Sequence, residues 1–139
     1  MPIAFKKIAY QDLDSRQKEA YNFQIVSALL AEYGFITIRL TSDWNGADFI
    51  AQHFDGKTFL KVQLKGRLSF YKKYRDRDLR ICFRENGVWY LYPHDAVLDQ
   101  LLEAGYFTGT DSWEIQEGYS IGKLSPKLKK FMEPFELKP

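Results

Sequence analysis

Cysteine is almost absent from this chain, and so are the patterns that would place it in a membrane. The single Cys82 lies in an apolar stretch, which excludes an intrachain disulfide and a zinc site built from clustered cysteines. No run approaches the 18 apolar residues that a transmembrane helix needs, and the first residues lack the apolar core of a signal peptide. We therefore expect a cytoplasmic protein that does not associate with membranes.

The sequence also contains only two histidines, and it lacks the phosphate-binding loop, dinucleotide-binding and serine-hydrolase motifs. Neither His53 nor His94 has a histidine or cysteine neighbour at metal-ligand spacing, so a zinc site is not expected. His94, or Asp95 next to it, is instead positioned to cap a helix.

What the chain has in quantity is hydrophobic and aromatic residues, at 45% and 17% of its 139 positions. This composition excludes a disordered chain, and the length suits a single domain spanning 1–139. A helical pattern comes first, alternating stretches typical of strands follow, and a second helical pattern ends at Gly105. This order predicts an α/β domain with a mixed central β-sheet flanked by helices.

Local signals place the elements along the chain. Asp14 with Gln17 predicts a capped helix start, and Gly34 predicts where that helix stops. The dipeptides Asp55-Gly56 and Asn86-Gly87 predict tight hairpins. The remaining predicted elements are a strand at 35–40, a polar turn at 41–46, strands at 79–83 and 88–92, a helix including 97–102, a short strand at 113–116 and a last helix from Ser125-Pro126.

The Asp55-Gly56 hairpin has a polar face. If its turn is the tight primed type, opposed residue numbers sum to 111, and Asp48 lies opposite Gln63 with Cβ atoms about 4.5–5.5 Å apart. Lys65 follows two residues later and points from the same face. The opposite face carries the apolar side chains of Phe49, Ala51, Leu60, Val62 and Leu64. A carboxylate, an amide oxygen and an ammonium group are therefore predicted to converge at one end of the hairpin.

The spacing Asp48-x14-Gln63-x-Lys65 resembles the signature of the PD-(D/E)XK, or restriction-endonuclease-like, nucleases, with Gln in place of the usual Glu or Asp. The fuller string from Val62 to Arg67 is similar to that of the intron-encoded homing endonucleases in this superfamily. The resemblance extends from the first helix to about Leu102. It implies a single restriction-endonuclease-like domain that hydrolyses DNA phosphodiester bonds as a Mg²⁺-dependent endonuclease.

The resemblance also implies roles for these residues. The side chains of Asp48 and Gln63 and the backbone carbonyl of Leu64 would ligate Mg²⁺, for which Mn²⁺ can substitute, because such cations prefer oxygen donors. Lys65 would orient or help to deprotonate the attacking water and stabilise the transition state. Since Gln63 is neutral, a further ligand is expected. The candidates are Asp43 and, on the first helix, Glu19, Asn22 and Gln24.

A basic segment directly after the motif is expected to bind the phosphate backbone. Between Lys65 and Arg84 there are eight basic residues and two acidic ones, with Tyr71 and Tyr74 interleaved. The residues predicted to contact nucleic acid are Arg67, Lys72, Lys73 and Arg75, together with Trp44 and Asn45 in the turn before Asp48.

Two other interpretations of the domain's function remain open. The domain would be a catalytically inactive nucleic-acid-binding module if it has kept the scaffold and lost the chemistry, or a protein-interaction domain if the aromatic second hairpin (Trp89, Tyr90, Tyr92) is a partner surface. DNA is the expected partner through the resemblance, and RNA is the alternative. Because one site cuts one strand, cleavage of a duplex predicts a homodimer or homotetramer.

Overall fold

The computed structural model describes residues 4–44 and 46–139, and its main element is a six-stranded sheet. The chain begins with helix α1 (Ser15–Ala31), followed by strands β1 (Phe35–Trp44), β2 (Ala47–His53), β3 (Phe59–Leu64), β4 (Leu68–Tyr71), β5 (Leu79–Glu85) and β6 (Val88–Pro93). It ends with helices α2 (His94–Glu103) and α3 (Asp111–Glu114), strand β7 (Gly118–Ile121), helix α4 (Pro126–Met132) and strand β8 (Glu136–Leu137). Within the described ranges, no helix has the length and apolar character needed to cross a bilayer.

The strand order of the large sheet is β1-β2-β3-β5-β6-β8. Strands β3 and β5 are parallel, and the other neighbouring pairs are antiparallel. Helix α1 packs on one face, where Val26 and Leu30 are buried with Phe49 and Val62. A second core on the other face includes residues of α2 and α4. The structure therefore confirms the predicted mixed α/β domain with helices on its sheet.

The first helix begins and ends as its sequence predicts. Asp14 accepts a hydrogen bond from the Gln17 backbone N–H at 2.8 Å, and the Gln17 side chain accepts one from the Asp14 N–H at 2.9 Å. These two bonds satisfy backbone donors that the first turn of a helix leaves unpaired. Gly34, just beyond the end of the helix, has a φ of 85°, which a residue with a Cβ adopts only with strain. The helix is thereby fixed at both ends.

The register predicted for β2 and β3 is confirmed, although the turn that joins them differs. Phe49 lies opposite Val62, and Gln52 lies opposite Phe59, so opposed numbers sum to 111. The prediction of a two-residue primed turn is wrong, because residues 54–57 form a four-residue loop in which only Gly56 has a positive φ. The Asp55 carboxylate accepts hydrogen bonds from the backbone N–H groups of Lys57 and Thr58, which closes the loop. The longer loop is symmetric and leaves the register unchanged.

The second hairpin is the predicted one. Asn86 and Gly87 both have a positive φ, 51° and 77°, as a primed two-residue turn requires. Ile81 lies opposite Tyr92, and Phe83 lies opposite Tyr90.

Two predicted elements are wrong. The polar residues at 41–44 continue strand β1 instead of turning, because an edge strand tolerates exposed polar side chains, and the register shifts between Arg39 and Trp44. The stretch at 113–116 is not a strand. Trp113 belongs to the short helix α3, which Thr110 caps, and its ring is buried in the second core. The strand lies at 118–121 instead.

A small second sheet connects the segment after the site to the main sheet. Strands β4 and β7 pair antiparallel. The Tyr92 hydroxyl on β6 donates to the Ser69 carbonyl at 2.6 Å and accepts from the Ser69 N–H at 3.1 Å. Because both partners are buried, these bonds satisfy groups that would otherwise be costly to leave without water. The two sheets are therefore held at a fixed separation.

His94 and Asp95 do not cap helix α2 as predicted. The helix starts at His94, its N-cap is Pro93, and no side chain caps it. The His94 ring is buried, and its Nε2 accepts the Tyr71 backbone N–H at 3.1 Å while Nδ1 lies 2.8 Å from Asp95. Since the Tyr71 N–H can only donate, His94 is neutral, with its proton on Nδ1 donated to Asp95. The residue is a structural link between β4 and α2.

Stability should fall in mild acid because of this histidine. Burial lowers the pKa of His94 below 6.5, an effect that the hydrogen bond to Asp95 opposes. The unfolded chain therefore holds more protons than the folded protein below pH 6.5, so stability is fully present above that pH and is lost as the pH falls. We expect the urea midpoint of the wild type to be lower at pH 5.5 than at pH 7.5. In His94→Gln, which cannot titrate, this difference should shrink.

The other histidine provides the control. His53 is partly exposed, so His53→Gln makes the same chemical change away from the buried link between β4 and α2. An unchanged pH dependence in His94→Gln would contradict this account.

Candidate active site

A cavity of about 680 Å³ lies at one end of the main sheet. At this end β1, β3 and β5 finish, whereas β2 and β6 begin, so residues from five strands meet there. The first half of α1 forms one wall through Glu19, Asn22 and Phe23. Because the cavity opens over the strand ends, it is lined from both faces of the sheet. All three predicted motif residues line it.

Asp48 and Gln63 are held by the local strand pairing. Asp48 is the second residue of β2, and its Oδ2 accepts a hydrogen bond from the Leu64 backbone N–H at 2.8 Å. That bond fixes the carboxylate beside the end of β3. Gln63 Oε1 is buried and, among the described atoms, has no hydrogen-bond donor. A buried amide oxygen without a partner is costly, so its presence at a cavity wall indicates a position for a ligand.

Lys65 reaches the same cavity from the residue after β3. Its backbone N–H donates to the Cys82 carbonyl at 2.8 Å, which extends the pairing with β5. Its ammonium nitrogen lies 4.9 Å from the ring centre of Tyr71 and 5.7 Å from that of Tyr74. Hydrogen bonding to Ser120 and, more weakly, the positive charge of Lys65 lower the pKa of Tyr71, against an opposing effect of burial. The two rings restrict where the ammonium group can lie.

Of the three predicted contributors on α1, two line the cavity. Glu19 and Asn22 do so, whereas Gln24 is exposed and lies outside the lining. Asn22 Nδ2 donates to the Tyr10 hydroxyl at 3.0 Å, and Asn22 Oδ1 is a second buried oxygen that accepts no hydrogen bond from the described residues. The cavity therefore has two unpaired amide oxygens, one on the helix and one on the sheet.

Two arginines lie at this site that the sequence did not place there, although Arg84 is the last residue of the predicted basic segment. Arg39 on β1 and Arg84 on β5 both line the cavity. The guanidinium carbon of Arg39 lies 5.5 Å from the ring centre of Phe23. That of Arg84 lies 4.9 Å from the ring centre of Tyr10 and 5.4 Å from that of Trp89. The available signal was that each arginine stands near the end of a predicted strand whose neighbours carry the motif.

The residues predicted to contact nucleic acid lie elsewhere. Arg67 is exposed beside Gly122, and Lys72 lies over the Trp113 ring at 5.0 Å. Lys73 lies 5.3 Å from the ring centre of Tyr74. Arg75 is paired with Asp99 at 2.7 Å. These four residues form a surface around β4 and the turn after it, and none of them lines the cavity.

Three further candidates lie beyond what the structure describes. Asn45 is outside the described residues, and the side chains of Asp43 and Trp44 are outside them as well. Their predicted roles stay predictions.

Comparison with known proteins assigns no family to the chain. No family model matches it, and no curated protein does. Two solved structures are similar. A Holliday junction resolvase from the archaeal hyperthermophile Archaeoglobus fulgidus is 19% identical with a TM-score of 0.42, covering 50% of this chain and 74% of that one. A bacterial homing endonuclease is 16% identical with a TM-score of 0.43, covering 62% of this chain and 70% of that one. At such scores, function must be argued from the site itself.

Proposed function

We propose that this protein is a Mg²⁺-dependent endonuclease that hydrolyses DNA phosphodiester bonds. The observation that carries the proposal is the buried, unpaired Gln63 Oε1, which lies in the same cavity as Asp48 and Lys65. An oxygen acceptor, a carboxylate and an ammonium group in one cleft are the groups needed to hold a cation and a phosphate together.

The donor set fits a hard divalent cation. The Asp48 carboxylate, the Gln63 side-chain oxygen and the Leu64 carbonyl would hold Mg²⁺ or Mn²⁺ through oxygen atoms, as such cations prefer. Within the described residues there is no group of three histidine, cysteine or acidic side chains that could hold a metal, so amide oxygens are needed. Because Gln63 is neutral, we expect weaker metal affinity than in a site with two carboxylates.

The chemistry divides between the ion and the chain. When bound, the ion would polarise the phosphate and favour ionisation of a water molecule. The ammonium group of Lys65 would stabilise negative charge that develops on the phosphate oxygens. The hydrogen bond from the Leu64 N–H fixes the Asp48 carboxylate. Asp48 would thereby help to hold the phosphate and the water in a constant position relative to the ammonium group.

The low formal charge of the site favours one alternative, an inactive module that binds nucleic acid on the same scaffold. Asp48 is the only carboxylate among the three predicted metal ligands, and Glu19 on α1 is the only other described carboxylate that lines the cavity. For the active form, cleavage of both strands of a duplex would require a homodimer or homotetramer, since each chain has one such site. Whether RNA is the target instead of DNA is tested by the cleavage experiment below, carried out with an RNA substrate.

Nicking of supercoiled plasmid DNA tests the proposal. We expect the wild type to nick it in Mg²⁺ or Mn²⁺ and not in EDTA, and Asp48→Ala to lose the activity by about 100-fold or more because a metal ligand is removed. Glu32→Ala, at the exposed end of α1, is the matched control and should cut like the wild type.

Three other outcomes are informative. Equal cleavage by Asp48→Ala would refute the assigned site. Salt-sensitive DNA binding without cleavage in either metal, on plasmid or single-stranded substrate, would favour the inactive module. Metal-dependent cleavage of RNA alone would make RNA the substrate.

A further inference from the structure

The guanidinium group of Arg84 is held between two aromatic rings at the cavity wall. Its central carbon lies 4.9 Å from the ring centre of Tyr10 and 5.4 Å from that of Trp89. Tyr10 is itself fixed by the hydrogen bond from Asn22 on α1, and Trp89 is buried. Stacking of this kind leaves the N–H groups at the rim of the guanidinium plane available for an acceptor. Arg84 is thus oriented before any ligand arrives.

Arg39 lies on the other side of the motif in the order of the strands. In the order of the sheet, β1 carries Arg39, β2 and β3 carry the motif, and β5 carries Arg84. With neighbouring strands about 4.8 Å apart, β1 and β5 are separated by roughly 14 Å across three strand spacings. The pairing of the strands puts Arg39 level with Arg80, so Arg84 lies four residues further along β5 and the two arginine backbones are further apart than that.

Neither arginine is neutralised by a carboxylate of the described residues. Among the side chains that the structure describes, neither forms an ion pair with a carboxylate, whereas Arg75 and Arg80 do. In the described part of the chain, the charged side chains lining the cavity are three cations (Arg39, Lys65, Arg84) and two carboxylates (Glu19, Asp48). A divalent cation at the proposed site would raise this positive excess further. The cavity is therefore suited to a polyanion that extends past the reacting group on both sides.

We infer that Arg39 and Arg84 bind backbone phosphates on opposite sides of the phosphate held at Asp48, Gln63 and Lys65. This inference rests on the proposed function. The DNA strand then crosses the end of the sheet from β1 to β5, instead of following the basic surface formed by Arg67, Lys72, Lys73 and Arg75. Both arginines act on the sugar–phosphate backbone, so they contribute affinity and position without selecting bases.

Metal-free DNA binding measures this contribution apart from cleavage. Fluorescence anisotropy of a labelled duplex in EDTA, over a range of salt concentrations, gives the slope of log K against log salt. Each phosphate contact contributes about 0.9 to that slope. We expect Arg39→Gln and Arg84→Gln each to reduce its magnitude by about 0.9, the double variant by about 1.8, and Arg→Lys at either position to retain it.

Arg80→Gln is the matched control. Arg80 lies on the same strand as Arg84 but is paired with Asp78 at 3.1 Å, outside the cavity, so its replacement should leave the slope unchanged. Wild-type slopes in both cavity variants would overturn the inference, and so would the absence of wild-type binding at low salt. Loss of slope in Lys72 and Lys73 variants alone would move the strand to the basic surface. Plasmid nicking by the same proteins shows separately whether the proposed activity stands.

Discussion

Replacing Lys65 with alanine should reduce DNA cleavage by about 100- to 1,000-fold while leaving metal binding almost unchanged. Lys65 lines the same cavity as the proposed metal ligands, and Tyr71 and Tyr74 restrict the position of its ammonium group. A charge fixed before the reaction stabilises the developing phosphate charge without reorganisation. Single-turnover cleavage of plasmid DNA at saturating enzyme measures the chemical step and separates it from DNA affinity.

Lys61→Ala is the appropriate comparison for that variant. Lys61 lies on β3, four residues before Lys65, and does not line the cavity. It should cut at the wild-type rate. If Lys65→Ala also cut at that rate, with Asp48→Ala inactive, Lys65 would have no part in the chemical step.

Replacing Phe70 with alanine should destabilise the protein by about 3–5 kcal/mol. Its side chain is fully buried on β4, and its ring centre lies 5.3 Å from that of Phe107 and 5.5 Å from that of Tyr92. Removing the ring leaves a cavity between the small sheet and the main sheet, where neighbours anchored by other elements can close it only in part. Urea unfolding at neutral pH gives the change in free energy directly.

The matched control is a phenylalanine on the surface of the sheet. Phe59 is 54% exposed on β3, so its replacement by alanine should change stability by no more than about 0.5 kcal/mol. Similar values for the two variants would mean that β4 is not part of the cooperative core.

The elements that could be predicted are those with strong local signals. Helix α1 is specified by its capping box and by Gly34, and the second hairpin by Asn86-Gly87. The strand at 41–44 could not be predicted, because polar residues in an edge strand give the same sequence pattern as polar residues in a turn. Helix α3 and strand β7 could not be placed for a related reason, since Trp113 is oriented by packing against distant residues and not by a local pattern.

The candidate site divides in the same way. The convergence of Asp48, Gln63 and Lys65 depends on the register of one hairpin, which is local information, and all three line one cavity. Arg39 and Arg84 are brought there only by the order of the strands. Their positions depend on the parallel pairing of β3 with β5, which are separated in the sequence by the segment that carries β4. No local sequence pattern predicts that pairing.

Pairing between β4 and β7 has a consequence for the newly made chain. Ser69 and Ser120, which face each other across that pair, are 51 positions apart, so at roughly 5–20 residues per second ribosomes need about 3 to 10 s to make the second partner. Until then β4, which leads into Tyr71 and Tyr74, lacks its neighbouring strand β7. The two rings that restrict the Lys65 ammonium group are therefore not yet held in place. The motif hairpin is synthesised early, but its lysine is fixed late. An unfinished chain therefore contains Asp48, Gln63 and Lys65 before the ammonium group of Lys65 has its final position.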